Sequence, residues 1–268
     1  MNSTELSRKS TAFSPAQIHP FLSPALSHLN ISIYPSLPST NSFLLEIAAE
    51  GESSDRVVIA EKQSCGRGRK GRSFFSPHGS GLYISILVHP DISPREALNI
   101  TPAAAVAVCD AIEKVSGENP QIKWVNDIFM RGKKVGGILT ESRLSENSLK
   151  YAVIGIGVNL YPPDEKFPKE IENIAGTVFL QKAPDILPRL AAEILNSLFE
   201  YLPDLRSQKL LNSYRKRCFV LGKDVTFTLN GAPTQATALD IDDAFRLIVR
   251  LPDNSLLPLS SGEISIKL

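Results

Sequence analysis

With 268 residues, 43% hydrophobic and 21% charged, the chain carries enough apolar side chains for one large folded unit and a small second one, which excludes a disordered or fibrous protein. A net charge of +1 excludes a protein-wide field for a long polyanion, and no run approaches the roughly 20 apolar residues of a membrane span. Cys65, Cys109 and Cys218 are widely spaced and odd in number, which argues against a disulfide framework or a CxxC metal site and for a reduced, cytoplasmic protein.

Residues 1–30 are rich in Ser, Pro and Thr and lack a basic stretch followed by an apolar core, so a poorly ordered arm is expected there. Pro15, Pro20 and Pro24 also make it too broken for a winged helix. Residues 31–219 then read as a main domain and 220–268 as a small one. Ser39-Thr40-Asn41 precedes FLLEIAAEG, a helical pattern ended by Gly51. Strands are expected over Arg56–Gln63 and Leu82–Val88, and Thr101-Pro102 is expected to cap and open an Ala/Val-rich helix.

Ile122–Trp124, Lys134–Glu141 and Tyr151–Asn159 read as further strands, the first two joined by NDIFMRGK with a turn at Arg131-Gly132. Strand follows strand without βαβ alternation. The fold class is therefore α/β of the α+β kind: a mixed, mostly antiparallel sheet with helices on one side. Helices over Ile186–Leu202 and Leu205–Cys218 complete it. From Val220 the pattern changes to short alternating runs separated by Gly, Asp, Asn and Pro, as in a small β-barrel. Its Asp242-Asp243-Ala244 lacks the glycine expected of a hairpin turn.

The most informative stretch is CGRGRKGRSFFSP, Cys65 to Pro77. Three glycines alternate with four cations, Arg67, Arg69, Lys70 and Arg72, between two strands. Glycine lets backbone N–H groups approach a ligand, and arginine presents a planar fork matched to carboxylate or phosphate oxygens. Mutual repulsion of the cations predicts a loop ordered by its anionic ligand. An arm that inserts arginine into a minor groove is disfavoured, since Lys70 follows the Arg-Gly-Arg and the loop joins core strands. Gly136, Gly137, Gly155 and Gly157 interrupt two β-branched strands, which signals close approach of a ligand or another backbone. Gly155 and Gly157 are not a dinucleotide fingerprint, because no helix follows them.

Ser39-Thr40-Asn41, GRGRKGR (66–72), KWVND (123–127) with KKVGGILTE (133–141), and GIGVN (155–159) stand in an order that resembles the biotin protein ligases, here a short form without an N-terminal helix-turn-helix. VLGKDV (220–225) and SSGEISI (260–266) resemble that family's SH3-like end domain. The resemblance implies a class II synthetase-like catalytic domain and an enzyme that joins biotin to ATP. Biotinyl-5′-AMP forms, and the acyl group passes to one lysine of a biotin carboxyl carrier protein.

The resemblance further implies that Ser39, Thr40 and Gln63 hydrogen-bond the ureido ring and that Asn41 sets the helix start. Gly66 and Arg67 would meet the biotin carboxylate, with Gly68, Gly137 and Gly155 in the same binding set. Arg69 and Arg72 would lie over the adenylate and triphosphate, and Lys134 would reach both the carboxylate and the α-phosphate. Asn126 and Asp127 would face the nucleotide, with Asp127 contributing to Mg²⁺ placement or to deprotonating the acceptor lysine. Phe74, where the family commonly has Trp, would stack on adenine, and Asn159 would stand near it. Arg67, Arg69, Lys134 and Asp127 form the implied catalytic set.

Two rivals are carried. Lipoate or octanoate ligases make an acyl-adenylate on a related fold but lack the GRGRKGR arrangement. A biotin-responsive DNA-binding regulator needs a helix-turn-helix that residues 1–30 do not supply, so no specific DNA and no membrane partner is expected. Whether the protein is a monomer or a homodimer is left open by the sequence.

Overall fold

The computed structural model of the chain describes residues 13–146, 148–260, 262 and 264–266. The main sheet comprises β1 (Asn30–Tyr34), β2 (Arg56–Ala60), β3 (Gly81–Val88), β4 (Gln121–Lys123), β5 (Asp127–Met130), β6 (Lys133–Leu144) and β7 (Leu149–Asn159). Its seven strands run in the order β1-β2-β3-β7-β6-β5-β4. β1 and β2 are parallel and every other neighbouring pair is antiparallel. The helices are α1 (Pro15–Ile18), α2 (Thr40–Ala49), α3 (Pro94–Ala97), α4 (Ile100–Ser116), α5 (Ile186–Tyr201) and α6 (Gln208–Arg217).

Side chains alternate across the strands, and the alternation sorts them into two cores. Val57 and Ile59 of β2, Ile84 and Ile86 of β3, and Ile154 and Ile156 of β7 pack with α4 and α5 in the main core. Val58, Ala60, Leu87 and Val153 point the other way and meet Leu44 and Ala48 of α2. The long helices therefore cover one face, while α2 covers only one end of the other. The uncovered remainder of that second face holds the site.

Residues 13–29, expected as part of a loose arm, are instead folded onto the main core, with Phe13, Ile18, Leu26 and Leu29 buried. Asn196 of α5 ties them down: its Oδ1 accepts from Ser23 N–H at 2.8 Å and its Nδ2 donates to Phe21 O at 2.9 Å. The expectation for residues 1–12 lies outside the described residues. NDIFMRGK is more than a connection, since Asp127–Met130 forms β5 with Ile128, Phe129 and Met130 buried. Arg131 (φ 49°) and Gly132 (φ 73°) then turn the hairpin with two left-handed residues, as a tight I′-type turn requires. α4 begins one residue before Thr101, whose hydroxyl donates to Thr140 Oγ1 at 2.8 Å rather than capping the helix.

The second sheet contains β8 (Asp224–Leu229), β9 (Ala232–Ile241), β10 (Leu247–Arg250), β11 (Leu256–Leu259) and β12 (Ser265–Ile266), in the order β11-β10-β9-β8-β12. In its glycine-free β9–β10 turn the left-handed position falls on Phe245 (φ 55°). Asp242 Oδ1 holds that turn by accepting from the N–H groups of Ala244 and Arg246 at 3.0 and 2.9 Å. The unit is anchored to the main domain by Trp124, whose Nε1–H donates to Phe245 O at 2.9 Å, and by Arg215 of α6, whose Nε–H donates to Ile241 O at 2.7 Å. Within the main domain Tyr214 Oη–H donates to Val125 O at 3.0 Å. The Trp124–Val125 peptide is cis.

Candidate active site

A cleft of about 360 Å³ opens on the uncovered sheet face. Antiparallel register sets its floor as rows of directly opposed residues sharing one face. One row is Ser85, Gly155 and Leu139; the next is Tyr83, Gly157, Gly137 and Asp127. Three glycines at the centre leave dents, and two are filled by the protein's own side chains. A Cβ on Gly155 would stand 2.0 Å from Asn41 Oδ1, and one on Gly157 would stand 2.5 Å from Phe74 Cε1. The close approach expected at these glycines is thus made by Asn41 and Phe74. Gly137 is roomier, with Lys134 Cε at 3.4 Å from such a Cβ.

One end of the cleft is a neutral hydrogen-bonding corner. Ser39 caps α2, its Oγ accepting from Ser42 N–H at 3.4 Å, so α2 starts by presenting Thr40 and Asn41 toward the sheet. Gln63 Oε1 accepts from Thr40 N–H at 2.9 Å and lies 3.1 Å from Thr40 Oγ1. Gln63 Nε2 donates to Ser76 Oγ at 2.9 Å, which fixes the amide's orientation. Ser85 Oγ, fully buried, lies 2.6 Å from Asn41 Oδ1 and 2.7 Å from Thr40 Oγ1. Ser85 has one proton and Asn41 Oδ1 can only accept, so that proton belongs to Asn41. Tyr83 lies below, its phenol pushed up to about 12 by burial and edge-on to Phe74 at 6.4 Å between centroids.

The other end is ionic. Lys134 Nζ meets Asp127 Oδ1 at 2.6 Å, and Arg69 Nη1–H donates to Asn126 Oδ1 at 2.7 Å. Asn126 is oriented by its own Nδ2–H, which donates to Ile138 O at 2.9 Å. Lys134 is held through its backbone as well. Its N–H donates to Ile174 O and its C=O accepts from Gly176 N–H, both at 2.8 Å, so the 171–176 segment clasps it. A register shift between β5 and β6 leaves Val135 unpaired between Lys134 and Gly136, a bulge of the kind that re-aims a side chain.

The Gly/Arg loop closes over both ends as a small hairpin. Gly68 N–H donates to Arg72 O at 2.7 Å, Phe74 N–H donates to Gly66 O at 2.8 Å, and Lys70 (φ 55°) and Gly71 (φ 74°) make its tip. Arg67, Gly68, Arg69 and Arg72 line the cleft. Arg67 nevertheless carries its guanidinium into a two-bond fork with Glu141, at 2.8 and 2.9 Å.

Of the residues singled out in the sequence, Ser39, Thr40, Asn41, Gln63, Phe74, Asn126, Asp127, Lys134, Gly137 and Gly155 also line the cleft. Two do not. Gly66 sits beneath the loop, where a Cβ would meet Phe74 O at 2.3 Å, and Asn159 directs its Nδ2 to Gly176 O at 3.2 Å. The sequence reading missed Trp124 as a lining residue and the wall formed by Ile171, Ile174, Gly262, Ile264 and Ser265. Ile171 and Ile174 are an apolar pair three residues apart in a charged loop, the one signal available for them. Among the described residues no group of three or more His, Cys, Asp or Glu is arranged to hold a metal ion.

Residues 33–159 match the model of the biotin/lipoate A/B protein ligase family, and residues 220–267 match the biotin protein ligase C-terminal domain. A biotin–[acetyl-CoA-carboxylase] ligase of Mycobacterium tuberculosis is 31% identical over 235 residues, which cover 84% of this chain and 85% of that protein. The chain belongs to the biotin protein ligase family. The bifunctional ligase/repressor BirA of Bacillus subtilis is 40% identical over 139 residues, 52% of this chain, and the match spans only 43% of that relative's length. The fold is that of the biotin protein ligase of Aquifex aeolicus solved with biotin and ATP, with a TM-score of 0.70 at 23% identity over 89% of this chain and 98% of that one. The small second sheet is the family's SH3-like end domain.

Proposed function

We propose that the chain activates biotin with ATP and transfers it, through biotinyl-5′-AMP, to one lysine of a carboxylase's biotin carrier domain. One observation carries the reading: a single cleft has a neutral donor/acceptor corner at Thr40 and Gln63, backed by buried Ser85, and a cationic end at Arg69 and Lys134. A ureido ring, with two N–H donors and a carbonyl acceptor, suits the first, where Thr40 Oγ1 keeps a lone pair. A carboxylate meeting a triphosphate suits the second. The family relationship supports the same chemistry.

In the first step a biotin carboxylate oxygen attacks the α-phosphorus, the bond to the β-phosphate oxygen breaks, and pyrophosphate leaves. Negative charge gathers on the α-phosphoryl oxygens, where pre-placed Lys134 and Arg69 lower the barrier without reorganising. Phe74 at the cleft wall lies against the ligand space. In the second step a neutral lysine amine attacks the acyl carbon, AMP leaves, and the amine proton passes to a base, for which Asp127 is the carboxylate in place.

Mg²⁺ arriving with ATP would be held by the substrate phosphates and Asp127, since Mg²⁺ commonly takes only one or two protein carboxylates beside phosphate and water. It would offset phosphate charge. No helix of the described residues is long and apolar enough to cross a membrane, and the proposed compartment is the cytoplasm.

The deciding experiment is mass spectrometry of a carrier domain after incubation with the protein, ATP, Mg²⁺ and biotin. A gain of one biotinyl group is expected. A gain with lipoate but not biotin would move the chain to the lipoate branch of the matched family. Specific retention of DNA in a gel shift at physiological salt would add the repressor activity named for BirA.

A further inference from the structure

The reading above assigns no task to Glu141. It lies at the outer end of β6, opposite Val153, on the same face as the cleft but beyond its lining. Its two oxygens accept three hydrogen bonds: from Arg67 Nη2 and Nη1 at 2.8 and 2.9 Å, and from Asn41 Nδ2 at 3.1 Å. Asn41 in turn fills the dent above Gly155 and receives the Ser85 proton. One carboxylate thus joins the loop stem, the first turn of α2 and the sheet floor.

We propose that Glu141 is a positioning residue that latches the Gly/Arg loop, and that Arg67 serves as the latch's cation and not as a charge for substrate. Three observations carry this. A bidentate fork fixes both the position and the plane of a guanidinium. Arg67 is flanked by glycines and bridged to Ser73, so fixing its side chain fixes the first arm of the hairpin. The same hairpin delivers Arg69 to Asn126 at the far end, so the loop spans the cleft between two pinned points. Glu141 also cancels one of the loop's four charges, which eases closure in the absence of an anion.

The inference rests on the biotin-ligase reading for its substrate readout and not for its second one. In biotin-dependent exchange of pyrophosphate into ATP, E141Q and R67K should each raise the half-saturating biotin concentration about tenfold, the scale of one lost charge-assisted hydrogen bond, with kcat changed less than about threefold. The double variant should be no worse than either single one, because all three lose the same contact. Glu141→Asp, which keeps the charge, should recover most of the affinity. Effects that multiply in the double variant, or wild-type affinity in E141Q, would overturn the latch. Independently of any substrate, trypsin should cut the 67–72 segment of unliganded E141Q faster than that of the wild type. Equal cutting rates would also overturn it, and wild-type protein inert toward biotin would count against the proposed function alone.

Discussion

Alanine at Gly155 and alanine at Gly157 are the same chemical change two residues apart, yet their consequences should differ. At Gly155 the new methyl meets Asn41 Oδ1, an atom pinned by Ser85 and, through the same amide, by Leu139 O and Glu141. Nothing there yields cheaply, so Gly155→Ala should cost about 1–3 kcal/mol and lower the melting temperature by several degrees. At Gly157 the obstacle is the ring of half-buried Phe74, which can swing. Gly157→Ala should therefore melt near the wild type but raise KM for ligand, because the displaced ring enters the cleft. Lys134→Ala should reduce biotin-dependent pyrophosphate exchange about 10²–10³-fold in kcat, the cost of removing one preorganised group from a developing anion. Lys133 cannot substitute, since its ammonium donates to Asn173 O and its Cβ packs on Gly176. Alkylation of the native protein with iodoacetamide should give one adduct, at exposed Cys65. Burial shields Cys109 and Cys218 and pushes both thiols up, that of Cys218 to about 12.

Among the elements, short α3 carries a measurable acid signature. Glu96 Oε2 accepts from Ser93 Oγ–H at 2.6 Å and Ser93 N–H at 3.0 Å, which, with Arg206 nearby, holds its carboxyl below the usual carboxylate range. A depressed folded value means the stabilisation is full above the unfolded carboxyl's range and is lost as pH falls through the folded value. Ser93→Ala should therefore flatten the fall in melting temperature below about pH 5 while leaving the activity at neutral pH unchanged. Much of this level was legible in the sequence. Ser39-Thr40-Asn41 announced α2 because a polar triplet before an apolar pattern is a helix start, and LYISILV announced β3 because β-branched runs bounded by turns are buried strands. β5 escaped because its four residues start at Asp127, beside Asn126, and end against Arg131-Gly132, so that both ends look like turn chemistry. Site residues from the Gly/Arg loop and β6 were legible because charge and glycine are informative side by side. Ile174, Gly262 and Ile264 were not, because only tertiary contact makes an ordinary aliphatic or glycine part of a wall. The fork that Arg67 makes was hidden for the same reason: its partner, Glu141, lies 74 positions away.

At the scale of the molecule the small barrel is part of the site, since Gly262, Ile264 and Ser265 help wall the cleft and Trp124 binds Phe245 beneath it. Trp124→Phe leaves Phe245 O buried without its donor, which should cost about 1–3 kcal/mol. Because the barrel wall would loosen with it, KM for ATP should rise; an unchanged KM together with a lowered melting temperature would show that the wall does not depend on this anchor. The tie between Asn196 and residues Phe21 and Ser23 has another kind of consequence. These partners are separated by 175 and 173 positions, so residues 21–23 are made long before the helix that ties them down. Until α5 is made, α1 and the turn that follows it lack the helix they pack against, and a chain stalled before residue 186 leaves that side of them uncovered. Such long closures slow folding, and they place the burden on the partner that is made first. Nascent chains should consequently be chaperone clients at residues 13–29 until α5 (Ile186–Tyr201) has emerged.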